Sequence, residues 1–397
     1  MIFSGKFIRL GMGILISMVM VGCSTNKSGP GQGTKFFEGT NPFEESEKID
    51  LESLKTSHPS RFKIFFSGNI TGETEPCGCA VNPKGGLDRR LNYIRQATQA
   101  TPFPYAILDA GNALFPNEKI DRSQEKHQKE RARLIMEGHR MMSVIAQNVG
   151  YLDLSAGVDF LKNAASDAKV TLLSSNWIGA DGKLLFEPQI TFDLGREKAY
   201  ILGFSKGYKK VPLKKDTPDV LDPLKTLEER LAAIPQEALV IVLSDLGIEL
   251  EKEIAQKIKR SLIIVGSRDL SSMEIPTHEA SSILLQGQLQ GQQWGAIEIA
   301  WKPQSTAWYN LSVGRHFKDL WLKNAISKVE LMKRDDNEER KSELAILESA
   351  HKDMMRFAPD NLDEKNVYDL QLVDMSVDYS KSNELTPLME KVKKAGK

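Results

Sequence analysis

The sequence predicts a layered α/β domain, because strand-like and helix-like segments alternate throughout residues 61–303. Short apolar runs such as Leu239–Leu243 and Ser261–Val265 are typical of buried strands, and a polar turn follows each of them. Segments such as Leu87–Gln99 have the apolar spacing of helices instead. Ligands bind outside the carboxyl ends of strands in such domains, so the polar turns indicate where a site would lie.

The predicted elements begin with a strand, a helix, a second strand and a long helix capped by Ser123. Two short strands, a hairpin and a further helix come next. Two buried strands that enclose another helix follow, and two last strands complete the sheet. The ranges are Phe62–Phe66, Leu87–Gln99, Pro104–Leu108, Ser123–Asn148, Tyr151–Leu154, Val170–Ser174, Ile190–Leu194, Ala199–Phe204, Leu221–Ala233, Leu239–Leu243, Leu250–Lys259, Ser261–Val265, Ile283–Gln286 and Trp294–Trp301.

The composition limits the classes of function. Lys and Arg total 53, as do Asp and Glu, so the net charge is zero. No global positive field therefore marks a nucleic-acid binder, and we expect no nucleic-acid partner. Hydrophobic residues make up 41% of the 397 residues, which is enough for a sizeable core. Three cysteines are too few for a disulfide framework.

The first 23 residues resemble the signal peptide of a lipoprotein. A charged start precedes the apolar run Leu10–Val21, which is short for a membrane span. The run ends at Gly22-Cys23, so Cys23 is the expected site of lipidation by chains such as palmitate; an ordinary signal peptide with an incidental Cys is the alternative. Two acyl chains would anchor the protein firmly in the bacterial cell envelope. Ser24 favours the outer membrane, and residues 24–60 are expected to form a flexible tether.

The C-terminal part has a different pattern. Residues 304–357 contain neither Gly nor Pro after Gly314, and their apolar residues recur at helical spacing. This predicts one long helix or a helical hairpin, docked on the domain or on a partner. Residues 358–397 are expected to be a tail, with a candidate strand at Asn366–Val377 and an amphipathic helix at Leu385–Lys397.

The loop after the first strand is a candidate anion site. Paired glycines at the start of the following helix allow backbone N–H groups to approach an anion closely. Two arginines follow in that helix and would add positive charge. A tight connection with no ligand is the alternative. The anion-binding candidates are Gly85, Gly86, Arg89 and Arg90.

The same loop contains Cys77 and Cys79, separated by one residue. A disulfide between them would be strained and easily reduced, which permits redox work. As thiolates near the two arginines they would be activated, and they could also form part of a soft-metal site. A structural disulfide that pins the loop is the alternative without redox or metal chemistry.

Five short motifs follow one another in a characteristic order. They are Phe66–Asn69, Gly85–Arg90, Asp109–Asn112, Leu172–Asn176 and Gly291–Gly295. Their order resembles the metallophosphoesterase domain of the 5′-nucleotidase/UDP-sugar hydrolase family, and the Cys-Gly-Cys insert resembles a lipoprotein-like branch of it. The resemblance implies a calcineurin-like β-sandwich flanked by helices. It also implies two divalent metals that clamp a phosphoryl oxygen.

The chain departs from that family at nearly every metal-ligand position. The first motif, Asp-x-His, corresponds to Asn69 and Thr71, and the second ligating Asp corresponds to Asn112. The Gly-Asn-His-Glu motif corresponds to Ala156–Asp159, which lacks the ligating Asn and the catalytic His. The three remaining His positions correspond to Asp245, Arg268 and Gln288.

These replacements argue against a dinuclear centre. An amide in place of a carboxylate removes a negative charge, and an Arg places a permanent cation where a metal would lie. We therefore expect the fold without its metals, no cofactor, no assigned catalytic residue, and a cleft for a small anionic or sugar ligand. The cleft candidates are Asn69, Thr71, Asn112, Asp159, Asp245, Arg268 and Gln288.

The favoured function is a membrane-anchored, non-hydrolytic binding or accessory protein, a pseudoenzyme on a metallophosphoesterase fold. One alternative is an active metal-dependent phosphoesterase of the 5′-nucleotidase type with altered ligation. Another is a scaffold that docks an envelope partner through its C-terminal helix. The six His are expected to be structural or solvated, and His278 is the one that could reach the cleft.

Overall fold

The computed structural model describes most of the chain from Leu51 onwards. The predicted signal peptide with Cys23, most of the tether, Cys79 and Gln288 lie outside the described residues. Within those residues, no helix combines the length and apolar character that crossing a membrane requires. The described ranges are 51–54, 58, 60–77, 82–195, 197–208, 218–269, 273, 275–287, 289–303, 305–355 and 358–396.

Alternating apolar residues form the strands of this part of the chain. In chain order they are β1 (Ser60–Ser67), β2 (Pro76–Cys77), β3 (Lys84–Gly85), β4 (Tyr105–Asp109), β5 (Ala146–Asn148), β6 (Leu172–Leu173), β7 (Trp177–Ile178), β8 (Gln189–Asp193), β9 (Lys198–Ser205), β10 (Asp219–Val220), β11 (Leu239–Asp245), β12 (Leu262–Gly266), β13 (Thr277–Glu279), β14 (Ser282–Gln286), β15 (Gln293–Trp301), β16 (Trp308–Asn310) and β17 (Asn366–Asp374).

Amphipathic segments form the helices between and after the strands. They are α1 (Leu87–Gln99), α2 (Glu125–Met141), α3 (Val158–Ala168), α4 (Pro223–Leu231), α5 (Ile248–Lys257), α6 (Leu311–Met332), α7 (Glu338–Met354) and α8 (Leu385–Ala395). Short 3₁₀ helices occur at Leu51–Leu54, Tyr151–Leu154, Leu289–Gly291, Leu362–Glu364 and Val377–Tyr379.

The larger strands form two sheets that pack face to face. One sheet has the order β16-β17-β15-β1-β4-β5-β6, and the other has the order β13-β14-β12-β11-β9-β8. One apolar cluster contains side chains from both sheets, such as Phe66 and Leu108 from the first and Ile241 and Val265 from the second. Polar turns follow β1, β4, β9, β11 and β12. Because β1 and β4 run parallel in one sheet, and β9, β11 and β12 run parallel in the other, these turns lie together at the carboxyl edge of each sheet.

Helices cover the outer faces of the sandwich. Apolar residues of α1, α2 and α8 pack on the seven-stranded sheet, whereas α4 and α5 pack on the six-stranded sheet. This arrangement confirms the predicted layered α/β sandwich flanked by helices. The C-terminal extension is the helical hairpin of α6 and α7, one of the two predicted alternatives.

The predicted long helix Ser123–Asn148 is wrong after Met141. Helix α2 ends at Met141, and residues 146–148 form β5, which pairs with β4 and β6. Ser143 adopts a left-handed conformation with a φ of 58° that turns the chain. Apolar residues continue at helical spacing across this turn, so only pairing with neighbouring strands reveals it. Gln124 is the N-cap instead of Ser123, and the predicted strand Tyr151–Leu154 is a 3₁₀ helix.

Both ends of the described chain are integrated into the sandwich. The strand and the helix predicted within residues 358–397 are present as β17 and α8. Strand β17 lies between β15 and β16, and α8 packs on α1 and α2, so this segment belongs to the sandwich instead of forming a separate tail. The 3₁₀ helix at Leu51–Leu54 packs against β15 and β17, because Leu51 and Leu54 contact Ala300 and Val367. The domain therefore begins before the expected boundary between tether and domain at residue 61.

Candidate functional site

The turns after β1 and β4 have a backbone that places polar groups at the sheet edge. Asn69, Thr71 and Asn112 all have positive φ values, of 58°, 52° and 56°. The backbone N–H of Asn69 donates to Gly111 O at 2.8 Å, and its side-chain Nδ2 donates to Asp269 O at 2.8 Å. Asn69 therefore links the edges of both sheets, and half-buried Thr71 donates its backbone N–H to Asn112 O at 2.9 Å.

Asn112 and Asp245 meet at the centre of this edge. Asn112 Nδ2 donates to Asp245 Oδ1 at 2.7 Å, which joins the end of β4 to the end of β11. The other carboxylate oxygen, Asp245 Oδ2, accepts bonds from Ser205 Oγ at 2.6 Å and from the Tyr151 backbone N–H at 2.8 Å. Both side chains are buried, and their hydrogen bonds are made inside the protein.

Arg268 provides the counter-charge for Asp245. Its Nη1 lies 3.3 Å from both carboxylate oxygens, and its Nη2 donates to Gly207 O at 3.0 Å. The guanidinium stacks over the Tyr151 ring, 4.4 Å from the ring centre. Burial raises the pKa of the Asp245 carboxyl, and the charge of Arg268 opposes that rise. The side chain of Arg268 is only 9% exposed, so this is a largely buried ion pair.

The structure brings Asp153 to this edge in place of Asp159. Asp153 accepts hydrogen bonds from the backbone N–H groups of Asn112, Ala113, Leu114 and Gly150. Burial raises its pKa to about 7. The signal in the sequence was the combination of Gly150 and Asp153 shortly after residues 146–148, which the wrong helix prediction concealed.

Asp159 lies outside the cluster. It is exposed in the first turn of α3, and none of the hydrogen bonds described for the edge involves it. The sequence predicts the counterpart of the Gly-Asn-His-Glu motif at Ala156–Asp159, directly after a predicted strand at Tyr151–Leu154. The strand β5 ends at Asn148 instead, so the residues that follow it, up to Asp153, occupy the strand end.

A buried polar layer lies beneath the edge. Ser67, Asp109 and Gln147 stand side by side in the strand register. Arg90 from α1 donates to Ser67 Oγ at 3.1 Å, Ser67 Oγ donates to Asp109 Oδ2 at 2.6 Å, and His139 Nδ1 lies 3.1 Å from Gln147 Oε1. Burial lowers the pKa of His139 to about 4 and that of Arg90 to about 10. His139 is therefore neutral near pH 7, and Arg90 is charged.

The predicted anion site at the start of α1 is not supported by the contacts of its residues. Gly85 and Gly86 have φ values of 90° and 101°, but the N–H groups of Gly85 and Leu87 donate to carbonyl oxygens of other segments. Arg89 Nη1 donates to a loop carbonyl at 2.6 Å. Arg90 is 1% exposed beneath the sheet edge, so neither guanidinium is presented to a ligand as predicted.

Cys77 lies next to the first turn of the site. Gln292 Nε2 lies 3.2 Å from its Sγ, and Gln290 Oε1 lies 3.5 Å from it. The backbone N–H of Gln290 donates to Asn69 O at 2.8 Å, which connects the Cys77 environment to the strand end. Since Cys79 lies outside the described residues, the redox, metal and disulfide alternatives remain predictions.

The described residues at this edge do not fit a pair of divalent metals. Such metals take carboxylate oxygens and imidazoles, with lone pairs available. No three or more His, Cys, Asp or Glu side chains in the described part of the chain form a group able to hold a metal ion. His278, the one histidine predicted to be able to reach the cleft, contacts Tyr368 on β17 instead, with 2.7 Å between Nε2 and Oη.

Comparison with known proteins connects this architecture to solved structures. No protein-family model matches the chain, and no curated protein matches its sequence. A calcineurin-like phosphoesterase from Bacillus subtilis is similar in structure, with a TM-score of 0.54 and 13% identity over 85% of this chain and 98% of that one. The NAD nucleotidase of Haemophilus influenzae has a TM-score of 0.52 and 16% identity, over 62% of this chain and 54% of its own.

A 5′-nucleotidase from Candida albicans is similar as well, with a TM-score of 0.53 and 11% identity over 84% of this chain and 58% of that one. The chain spans somewhat more than half the length of the NAD nucleotidase and of this 5′-nucleotidase. At these identities the likeness concerns the fold alone. The chain therefore has the α/β-sandwich fold of the calcineurin-like metallophosphoesterases.

Proposed function

We propose that this protein is a non-hydrolytic binding or accessory protein built on the metallophosphoesterase fold. The observation that carries this proposal is the contact of Arg268 with both carboxylate oxygens of Asp245. The resemblance implies that both residues, together with Asn112, correspond to metal-ligand positions of the family. On this proposal, an internal ion pair and an amide take the place of the metals, and the contact supports it because it satisfies the charge of Asp245 within the protein.

The electrostatics of this contact oppose the entry of a divalent metal. Asp245 already accepts hydrogen bonds from Asn112, Ser205, Tyr151 and Arg268, so a metal would have to displace donors that the fold fixes. Each unit of metal charge about 4 Å from the guanidinium would cost roughly 4 kcal/mol at an effective dielectric constant of about 20. Arg cannot lose its proton to relieve that repulsion.

The direct test is an activity and metal assay on the purified full-length protein. The protein is incubated with manganese, and turnover of nucleotides and of a chromogenic phosphate ester is measured beside an active phosphoesterase as positive control. We expect no turnover above buffer and no stoichiometric metal in elemental analysis. Turnover that disappears with a chelator, together with two bound metal equivalents, would refute the proposal.

The second candidate is an active phosphoesterase with altered ligation. The names of the structural neighbours favour it, since they are nucleotidases and phosphoesterases. The same elemental analysis separates the two candidates, because the enzyme needs its metals and the binding protein does not.

A small anionic or sugar ligand is the proposed occupant of the sheet edge. A cavity of about 210 Å³ opens beside the ion pair and is lined by Lys206, Gly247, Glu249, Arg268 and Asp269. Its mixed charges suit a ligand with both acceptors and hydroxyl groups. Calorimetric titration of the protein with nucleotides and with free sugars would test this binding directly.

A scaffold role is the third candidate, and the helical hairpin supports it. Ile326 on α6 and Ile346 on α7 are 64% and 66% exposed, which is unusual for isoleucine. An envelope partner that co-purifies with the full chain and is lost on deletion of residues 317–357 would favour this role. The proposed membrane attachment through Cys23 would bring such a partner to the same surface.

A further inference from the structure

A second cavity lies between the edge strands of the two sheets, away from the strand-end site. It is bounded by β13, β16 and the beginning of α6, and its volume of about 330 Å³ falls within the range of small-molecule sites. Apolar and aromatic groups form most of its wall, with one cation and one imidazole among them. The lining residues used below are Ile275, His278, Trp308, Val313, Ala358 and Lys365.

Hydrogen bonds fix the tautomer of the imidazole. Tyr368 is fully buried, and its Oη lies 2.7 Å from His278 Nε2. The side chain of Asn310 also bonds to this hydroxyl, and because Asn310 Oδ1 already accepts the N–H groups of Ser312 and Val313, its amide NH₂ is the donor. The phenol then donates to His278 Nε2, and burial keeps it protonated by raising the pKa of Tyr368.

This arrangement leaves a donor on the solvent side of the imidazole. A neutral ring that accepts at Nε2 carries its proton on Nδ1. His278 is exposed at the middle of β13 and lines the cavity, so its Nδ1–H is available to a ligand there. The cavity therefore has one oriented neutral donor.

Lys365 adds a cation to the same cavity. Its side chain is 24% exposed, and its Nζ lies 3.6 Å from the carboxylate of Asp360, which is 67% exposed. Such a long, solvated ion pair is weak, so Lys365 can exchange this partner for a ligand at little cost. Another part of the wall is fixed and apolar, because Trp308 Nε1 donates to Ser281 O at 2.9 Å and Val313 is buried.

We propose that this cavity binds a small carboxylate with an apolar body, such as an aryl or short acyl carboxylate. The apolar body packs on Trp308 and Val313, and the carboxylate accepts from His278 Nδ1–H beside the charge of Lys365. The exposed side chain of Ile275, at 57%, would be covered by the same ligand. This site is independent of the strand-end site and of its proposed function.

The test measures binding of 2-naphthoate to the purified full-length protein by calorimetry, with 2-naphthalenemethanol as the uncharged analogue. We expect the carboxylate to bind at least tenfold more tightly than the alcohol. Lys365→Met should weaken 2-naphthoate binding at least tenfold, whereas Lys352→Met, an exposed lysine on α7, should leave it unchanged. Ala358→Trp should fill the cavity and abolish binding.

Thermal unfolding of each variant confirms that it is folded before its binding is scored. No binding by the wild-type protein overturns the proposal, as does equal affinity for the carboxylate and the alcohol. Unchanged affinity of the folded Ala358→Trp protein overturns it too, because the ligand would then lie elsewhere.

Discussion

Replacing Arg268 by Met should destabilise the protein by about 3 to 5 kcal/mol near neutral pH, the usual cost of leaving a buried charge without its partner. Asp245 is fully buried and the Arg268 side chain is 9% exposed, so water screens this pair poorly. Methionine keeps the apolar stem packed against Tyr151 and removes the charge. Asn112 and Ser205 still donate to the carboxylate, which places the expected loss near the lower end of the range.

The loss should also depend on pH, and its sign follows from the pKa of Asp245. Burial raises that pKa above its ordinary value, and Arg268 opposes the rise, so the variant should raise it further. When the pKa of a carboxyl is higher in the folded state than in the unfolded state, the free energy of unfolding falls as pH rises from the unfolded pKa to the folded pKa. Below the unfolded pKa the carboxyl is protonated in both states and nothing is lost. The free energy of unfolding of the variant should therefore be furthest below that of the wild type at about pH 7.5, and the difference should be smallest at about pH 4.5.

Urea unfolding followed by tryptophan fluorescence at both pH values measures this difference. Arg133→Met is the matched control, because Arg133 pairs with Glu130 at 2.9 Å on the surface, where both side chains are about half exposed. That exposed pair should contribute only about 0 to 1 kcal/mol. The reasoning is refuted if Arg268→Met costs no more than Arg133→Met, or if its cost grows towards acid pH.

Three further predictions test other parts of the molecule. Met389→Ala should lower the free energy of unfolding in urea by about 2 to 3 kcal/mol, because Met389 lies on the buried face of α8 and is 6% exposed. The neighbouring Leu388 is 36% exposed, so Leu388→Ala should cost less than about 1 kcal/mol. Equal effects would mean that α8 does not pack on the domain. Burial raises the pKa of Glu251 to about 7, so the free energy of unfolding of the wild type should fall from about pH 4.5 to pH 7. Glu251→Gln should remove about 3 kcal/mol of that fall, because glutamine does not titrate. Parallel curves of unfolding free energy against pH for the wild type and the variant would contradict this. Cys23→Ser should move the protein from the membrane to the soluble fraction on cell fractionation, and unchanged membrane association would argue against lipidation.

Local sequence pattern predicted most elements because their apolar spacing agrees with the fold. Helix α1 has the bounds predicted for it, and β11, β12, β14 and β15 lie within a few residues of their predicted ranges. Each of these strands is a short apolar run between polar turns, and such a run has few other ways to bury its side chains. The alternation of these elements was enough to predict the α/β class.

Long-range pairing decided what the local pattern could not. Strand β5 is three residues long and follows a helix with the same apolar spacing, so its identity comes from its partners β4 and β6. The candidate strand at Asn366–Val377 is confirmed as β17, but a helical hairpin separates it in sequence from β15, with which it pairs over eight residues. A sequence window contains neither set of partners, which is why β5 was predicted as part of a helix and why the place of β17 in the sheet was not predicted.

The sequence by itself determined the chemistry available at the strand ends, because residue identities are fixed wherever the chain goes: amides, Asp245 and Arg268 stand where the resemblance expects metal ligands. Only the tertiary structure decided which of them meet. It pairs Arg268 with Asp245, recruits Asp153 in place of Asp159, and buries Arg90 in a polar layer. These contacts depend on strand register and on the packing of two sheets, and both join residues that lie tens of positions apart along the chain, beyond the reach of a local pattern.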